Sequence, residues 1–288
     1  MKLEVRPLAD DDVEAAEDLF AVAFTAMRTE YGLPTVPRTP ASRASGHRRM
    51  RHLLATDPDG GWVGVDSDGR VVGLAQAFVR DRLWVLSLFG VHPDAQGQGL
   101  ATRLLDASLT CAPADGPGLI VSSRDPRAMR RYTLAGFTLH PAVTGWGTVH
   151  RSGLGTAPDV VEGADLDLAE HVDRSVRGAV RTTDLEHLLA DGRRMLVMPG
   201  RGYAIVRDAG QPEIVAALDA EAAVQLLTSA LVDAPPDATV EVKWMTAAQQ
   251  WAVRVSLAAG LELHPVGPVM VRAMPGPFSP YLPSGAFA

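Results

Sequence analysis

The fold is decided by residues 86–105, which read LSLFGVHPDAQGQGLATRLL. An apolar run ends at Val91, a short loop with glycines at positions 97 and 99 follows, and leucines at helical spacing come next. This order predicts a strand, a tight loop and a helix, since helix-forming segments repeat their apolar residues every three or four positions. Amides in the first turn of such a helix have no internal acceptor, and glycine lets an anion approach them closely. The stretch therefore predicts a phosphate-binding loop.

The wider context of this loop narrows the class of protein. The loop reads Gln96-x-x-Gly99-x-Ala101, and a second segment from Asp125 to Phe137 reads DPRAMRRYTLAGF. The two segments resemble the pyrophosphate loop and the Asn-x-x-Ala-x-x-x-Tyr-x-x-x-Gly-Phe segment of the GNAT superfamily of N-acetyltransferases, although Asp125 stands where asparagine is usual. The resemblance covers about the first 150 residues of the chain. It implies an α/β (α+β) fold, with a mixed, mostly antiparallel central sheet flanked by helices, and acetyl-CoA as cosubstrate.

The same resemblance implies the residues of the site. Those implied to hold acetyl-CoA are Phe89, Gly90, Val91, Gln96, Gly97, Gln98, Gly99, Leu100, Ala101, Thr102 and Asp125. Tyr132 is implied to be the general acid that protonates the leaving thiolate. A phenol with a pKa of about 10 stays protonated at neutral pH and can protonate a thiolate whose parent pKa is about 8.5. The alternative for Tyr132 is an aromatic side chain that only packs on the core.

The general base is not evident from the sequence. Family members often carry a glutamate on the strand before the glycine loop, but Leu83–Val91 contains no carboxylate here. Ser87 on that strand is a candidate catalytic residue because its hydroxyl could hold a water. The other candidates are Asp81, Glu30, Tyr31, His47 and His52, each with the alternative of a solvated surface residue. The missing carboxylate leaves open a second class of function, a sensor or scaffold that binds acyl-CoA without turnover.

The pattern of the chain repeats 124 residues later. The segment LAGFTLHP at 134–141 recurs as AAGLELHP at 258–265. A repeat of this length indicates two tandem domains rather than a solenoid. The sequence predicts a GNAT acetyltransferase domain over 1–150 and a degenerate GNAT-like domain over 160–288.

The second copy lacks the residues that bind phosphate in the first. Its strand-to-helix connection is five residues shorter, and Asp219 stands at the start of the helix. A carboxylate there caps its own helix and repels a pyrophosphate. Ser256 stands at the position of Tyr132. We therefore expect one acetyl-CoA per chain and a structural role for the second copy.

Composition limits the partners. The net charge of −7 over 288 residues argues against nucleic acid, which requires a basic surface. The single cysteine excludes an internal disulfide and favours a reducing compartment. No apolar run is long enough to span a bilayer. We therefore expect a cytoplasmic protein without a membrane or metal partner. The resemblance implies an amine as acceptor, and the acidic balance favours a small-molecule amine, while the oligomeric state stays open.

Two further expectations concern the ends of the predicted domains. Residues 137–150 are expected to supply two strands that close the first sheet. The tail from Pro275 to Ala288 contains four prolines and three aromatic residues. We expect it to pack across a domain face, because disordered tails carry fewer apolar groups, with an untethered end as the alternative.

Overall fold

The computed structural model describes residues 3–32, 37–207 and 210–288. Prolines at positions 34, 37 and 40 predict a loop between residues 31 and 40, and Pro34 of that loop lies outside the described residues. The chain forms two compact units, Met1–Leu119 and Ile120–Ala288. The units are divided within a strand, whereas the sequence places a linker near residues 151–160. The domain bounds drawn from the sequence repeat stay predictions.

Four strands of the first unit form an antiparallel sheet in the order β1-β2-β3-β4. They are β1 (Glu4–Pro7), β2 (Gly61–Val65), β3 (Val71–Arg80) and β4 (Leu83–Val91). The helices of this unit are α1 (Val13–Glu30), α2 (Pro40–Thr56) and α3 (Leu100–Ser108), and β5 (Gly118–Val121) crosses into the second unit. A 3-10 turn over Leu109–Cys111 follows α3 directly.

Two apolar clusters hold the helices of the first unit against the sheet. The first contains Val13 and Leu19 of α1, Met50 of α2 and Leu74 and Leu88 of the sheet. The second packs α3 against other residues of the sheet through Leu100 and Leu104. Because strand side chains alternate between faces, β4 contributes to both clusters, through Leu88 in the first and Val91 in the second.

The second unit contains two sheets. One has the order β5-β12-β6-β11, with β6 (Thr138–Thr148), β11 (Thr239–Met245) and β12 (Glu262–Arg272). The other has the order β13-β10-β9-β8-β7, with β7 (Val161–Glu162), β8 (Arg194–Met198), β9 (Gly202–Val206), β10 (Pro212–Ala217) and β13 (Tyr281–Leu282). The helices are α4 (Pro126–Leu134), α5 (Leu166–Arg177), α6 (Thr182–Ala190), α7 (Ala220–Val232) and α8 (Gln250–Ala258).

One expectation about this unit is wrong. The region 137–150 contains the single long strand β6, Thr138–Thr148, rather than two short strands. β6 pairs antiparallel with β12 on one side and with β11 on the other. These partners lie about a hundred residues away in the chain, so local patterning gave no sign of them.

The sequence repeat is a repeat of structure. Each end of α8 and β12 lies 124 residues after the corresponding end of α4 and β6. Gly136 and Gly260 follow the two helices with φ of +88° and +76°. A left-handed residue directly after a helix favours glycine, which explains why this position recurs in both copies.

The tail packs on the second unit, as expected. β13 pairs with β10, and Phe287 and Ala288 are about 1% exposed. The buried Arg181 donates to Phe287 O at 2.8 Å and to Tyr281 Oη at 2.6 Å, and its charge is matched by Asp173 with Nε and Oδ2 2.9 Å apart. A buried cation with such partners holds the tail in one place, since an unpaired buried charge is costly.

A membrane span is not found among the helices of the described residues, none of which is both long and apolar enough to cross a bilayer.

Candidate active site

The strand that precedes the glycine loop is irregular at its centre. β3 and β4 are antiparallel, with Gln76 opposite Leu88 and Ala77 opposite Leu86. Ser87 is therefore the extra residue of a β-bulge, which disrupts the ladder locally and bends the strand. Ser87 is 8% exposed, and its Oγ has no hydrogen-bond partner within the described part of the chain. The serine predicted to hold a water is thus a buried hydroxyl at the one irregular point of this pairing.

The loop after β4 has the conformation that its glycines predict. Gly97 and Gly99 have φ of +75° and +77°, a region that side-chain-bearing residues rarely adopt. Both are exposed, and a Cβ added to either would meet no atom within 4 Å. The space above these two residues is therefore open, and the backbone is accessible to a ligand.

The helix after the loop begins with uncovered amides. Gly99 is the N-cap residue of α3 and has no side chain to cap it. The first backbone bonds of the helix run from Thr102 N and Arg103 N to Gly99 O, at 3.2 and 3.3 Å. The amides of Leu100 and Ala101 precede these bonds and lie at the positive end of the helix dipole. The geometry fits an anionic group of the size of a phosphate.

The two glutamines of the loop hold its shape from within. Gln96 Nε2 donates to Val91 O at 3.2 Å, and Gln98 Nε2 donates to Asp94 O at 3.4 Å. The amide of Gln96 also donates to Pro93 O at 3.2 Å. These contacts connect the loop to the end of β4. The glutamine side chains therefore stabilise the conformation of the loop. Direct contact of Gln96 or Gln98 with a cofactor stays a prediction.

The remaining predicted cofactor residues on β4 are half-buried or buried. Phe89 and Gly90 are half-buried, while Val91 is 8% exposed. A Cβ on Gly90 would lie 3.4 Å from the Cβ of Ala23 on α1, an ordinary contact distance. Thr102 is half-buried on the first turn of α3. Their roles toward a cofactor stay predictions.

Tyr132 lies on α4 of the second unit and is 4% exposed. Burial and, to a lesser degree, the negative charge of Asp125 raise the pKa of its phenol above the ordinary value. The phenol therefore stays protonated throughout the neutral and mildly alkaline range. This is the state that a proton donor requires.

Asp125 caps the helix that carries Tyr132. Its Oδ1 accepts from Arg127 N at 2.8 Å, and its Oδ2 accepts from Arg127 Nη2 at 2.9 Å. An aspartate N-cap satisfies an amide of the first turn in the same way as the asparagine that is usual in the family. The departure from the family motif is therefore conservative for the helix, and a role in cofactor binding stays a prediction.

Several buried polar residues of the first unit were not predicted from the sequence, and two of them lie on β3 and α1. Gln76 on β3 is 1% exposed, and Glu17 on α1 is 7% exposed. Glu17 forms an ion pair with Arg38 and packs against Gly46 of α2, where an added Cβ would lie 2.9 Å from its Cγ. The signal for Gln76 was available, because it is the one polar residue within the apolar strand VVGLAQAFV.

The candidate bases are spread over several elements. Asp81 is exposed in the turn between β3 and β4, with φ of +51°. His47 and His52 are half-buried on α2, in a basic run where Arg51 pairs with Asp10 at 2.9 Å. Asp81 agrees with the alternative of a solvated surface residue, whereas the two histidines are partly covered and stay candidates.

The second copy shows the features expected of a degenerate site. Asp219 caps α7 by accepting from Ala222 N at 3.0 Å, and Arg201 pairs with Asp219 at 2.6 Å. The pKa of Asp219 is lowered, mainly by the hydrogen bond from Arg201, so a negative charge occupies the start of this helix. Ser256 is buried and donates to Ala252 O at 2.8 Å. In the second copy the cap residue Asp219 therefore stands in place of the glycine loop, and the buried Ser256 stands in place of Tyr132.

The region that contains the glycine loop and Tyr132 matches a known protein family. Residues 23–137 match the model of the acetyltransferase (GNAT) family. A comparison with curated proteins gave no match.

Solved structures resemble almost the whole chain. A candidate acetyltransferase from Pyrococcus horikoshii has a TM-score of 0.79 and 18% identity, over 99% of this chain and 96% of that one. A tandem GNAT protein from the clavulanic acid biosynthesis pathway has a TM-score of 0.61 and 19% identity, over 96% and 100%. A GCN5-related N-acetyltransferase from Sphaerobacter thermophilus has a TM-score of 0.57 and 14% identity, over 96% and 97%. At these identities the likeness shows the fold alone, which is that of two tandem GNAT-like domains.

Proposed function

Because the chain carries, over residues 23–137, a domain of the acetyltransferase (GNAT) family, we propose that it transfers the acetyl group of acetyl-CoA to a primary amine of a small molecule. The observation that carries the proposal is the loop from Gln96 to Thr102. Its two left-handed glycines are open to solvent and lead into uncovered helix amides. Such a loop fits a pyrophosphate, which is the anionic part of the cosubstrate.

The reaction requires the amine to attack the thioester directly. The C–N bond forms, the C–S bond breaks, and the released thiolate must be protonated. We propose that Tyr132 gives this proton, since burial keeps its phenol protonated, and that it regains a proton from solvent. We further propose that a main-chain amide of β4 near Leu88–Val91 polarises the thioester carbonyl, since a preorganised donor stabilises developing negative charge.

The amine must lose a proton before or during attack. β4 contains no carboxylate. We therefore propose that the amine arrives as the free base or loses its proton through water near Ser87. The rate then depends on the ionisation of the acceptor itself.

The small-molecule acceptor rests on two observations. The acidic balance of the chain disfavours large anionic partners such as chromatin. The tandem protein of similar fold is described as part of a pathway that makes a small molecule. A second copy without a glycine loop then contributes structure rather than a second reaction.

The competing function is binding of acyl-CoA without turnover, which the missing strand carboxylate favours. Mixing the protein with acetyl-CoA and a panel of small amines, and measuring the CoA thiol released, separates the two. Thiol release that requires an amine and yields an equal amount of acetylated product supports the transferase. Tight binding of acetyl-CoA with no amine-dependent thiol release supports the sensor or scaffold.

A further inference from the structure

Two residues at the bulge of β4 each carry a buried side-chain oxygen that has no hydrogen-bond partner within the described residues. One is Ser87 Oγ, and the other is Gln76 Oε1 on the neighbouring strand. Gln76 stands opposite Leu88, and the pairing slips between Gln76 and Ala77, where Ser87 is inserted. The two residues therefore lie at the same irregular point of the strand pairing.

The orientation of the Gln76 amide is fixed by its other end. Its Nε2 donates to Met50 O of α2 at 2.9 Å. A carbonyl can only accept, so the amide cannot be turned over without losing this bond. Gln76 Oε1 is consequently a fixed hydrogen-bond acceptor, and it is buried because the whole residue is only 1% exposed.

Leaving such an acceptor unsatisfied is unfavourable. A buried polar atom without a partner costs about 1–3 kcal/mol, and most buried polar atoms in proteins are satisfied by protein or by ordered water. A buried water needs two or more polar partners. Gln76 Oε1 and Ser87 Oγ supply two, and a hydroxyl can both donate and accept.

We propose that Gln76 is a positioning residue of the reaction, because its carbonyl and the Ser87 hydroxyl hold one ordered water at the β4 bulge. This inference rests on the proposed acetyl transfer. As the C–N bond forms, the attacking nitrogen passes one proton to this water, which passes a proton on toward solvent on the side of Ser87, the more exposed of the two residues at 8%. The proton on the thiolate comes from Tyr132, so the protons balance and no further reactant is needed.

The first test is the position of the water itself, which does not depend on activity. A crystal structure at a resolution that shows ordered water is expected to place one within about 2.7–3.2 Å of both Gln76 Oε1 and Ser87 Oγ. Clear density for both side chains without a shared water overturns the proposal.

The second test is kinetic and uses the full chain. Gln76→Met and Ser87→Ala are each expected to lower kcat for a primary amine by roughly tenfold to a hundredfold, because misplacing a reacting group can cost about 10²-fold. The KM for acetyl-CoA should stay within about twofold, since the glycine loop is untouched. If both residues act through one water, the double variant should be scarcely slower than the slower single variant.

Ser108→Ala is the matched control, because Ser108 is a fully buried serine of the same unit whose hydroxyl already donates to Leu105 O at 2.9 Å. It should leave kcat unchanged. Fully multiplicative losses in the double variant, or an unchanged kcat in either single variant, would show that any water there is only structural. If Gln76→Met does not fold, Ser87→Ala and the crystal structure still decide the question. A wild-type protein inactive on every amine refutes the proposed function, whereas an active one with unaffected variants refutes this inference alone.

Discussion

Replacing Gly99 by glutamate should weaken acetyl-CoA binding while leaving the fold nearly intact. Gly99 has φ of +77°, and a Cβ there would meet nothing within 4 Å. The substitution therefore causes no clash, and its effect on folding is the cost of a left-handed residue, about 1–2 kcal/mol. A domain with an ordinary stability of about 5–15 kcal/mol tolerates this loss.

The effect on binding comes from charge. One unit charge about 4 Å from another costs about 1 kcal/mol in water and about 4 kcal/mol at an effective dielectric of about 20. The loop is exposed, so the lower part of this range applies, about 1–2 kcal/mol. This corresponds to a Kd for acetyl-CoA about 5- to 30-fold weaker.

Calorimetric titration of acetyl-CoA measures this Kd, and urea unfolding measures the cost in stability. The matched control is Gly200→Glu, in the turn between β8 and β9, where φ is +71° and a Cβ again meets nothing within 4 Å. It introduces the same charge and similar backbone strain far from the glycine loop in sequence. Equal binding by the Gly99 variant and wild type, or equal weakening by the Gly200 variant, would refute the assignment of the loop.

Three further outcomes follow from the same structure. Tyr132→Phe should slow acetyl transfer at least tenfold with little change in acetyl-CoA affinity, since loss of a general acid typically costs about 10²–10⁴-fold; unchanged turnover would mean that Tyr132 only packs. A plot of kcat/KM against pH should rise about tenfold per unit below the pKa of the acceptor and shift with it across two amines, whereas a shared inflection near pH ~7 would reveal a protein base. Burial raises the pKa of Glu213, but the Arg207 hydrogen bond and charge and the nearby Arg193 outweigh it, so its pKa is lowered in the fold. Its contribution to the unfolding free energy is then present above the ordinary pKa of about 4.3 and lost as pH falls through the lowered value, and Glu213→Gln should show a smaller acid loss in urea unfolding; an identical acid loss would contradict this.

The loop region could be predicted from the sequence because its signals are local. The predicted strand Leu83–Val91 coincides with β4, and α3 begins at Leu100, directly after the glycines. The backbone is left-handed at positions 97 and 99, a conformation that favours glycine, so the two glycines of the sequence already indicate the turn. The structural repeat was also predictable, because the segment 134–141 recurs at 258–265. Both segments keep the glycine that follows the helix in a left-handed conformation.

The rest depends on partners that are distant in the chain. β6 pairs with β11 and β12, so its length and its place in a sheet follow from contacts that no local pattern specifies. The role of Gln76 depends on a carbonyl of α2 and on a bulge in the next strand. A lone glutamine in an apolar strand marks a buried polar residue, but only the structure shows which of its atoms lacks a partner.

The number of acetyl-CoA molecules bound per chain distinguishes the two copies directly. We propose that the glycine loop of the first unit binds the cosubstrate, while the helix capped by Asp219 does not. Calorimetric titration should give one site per chain in the wild type. Asp219→Ala should leave that number unchanged, and Gly99→Glu should weaken the single site. Two sites in the wild type, or no binding at all, would contradict the account.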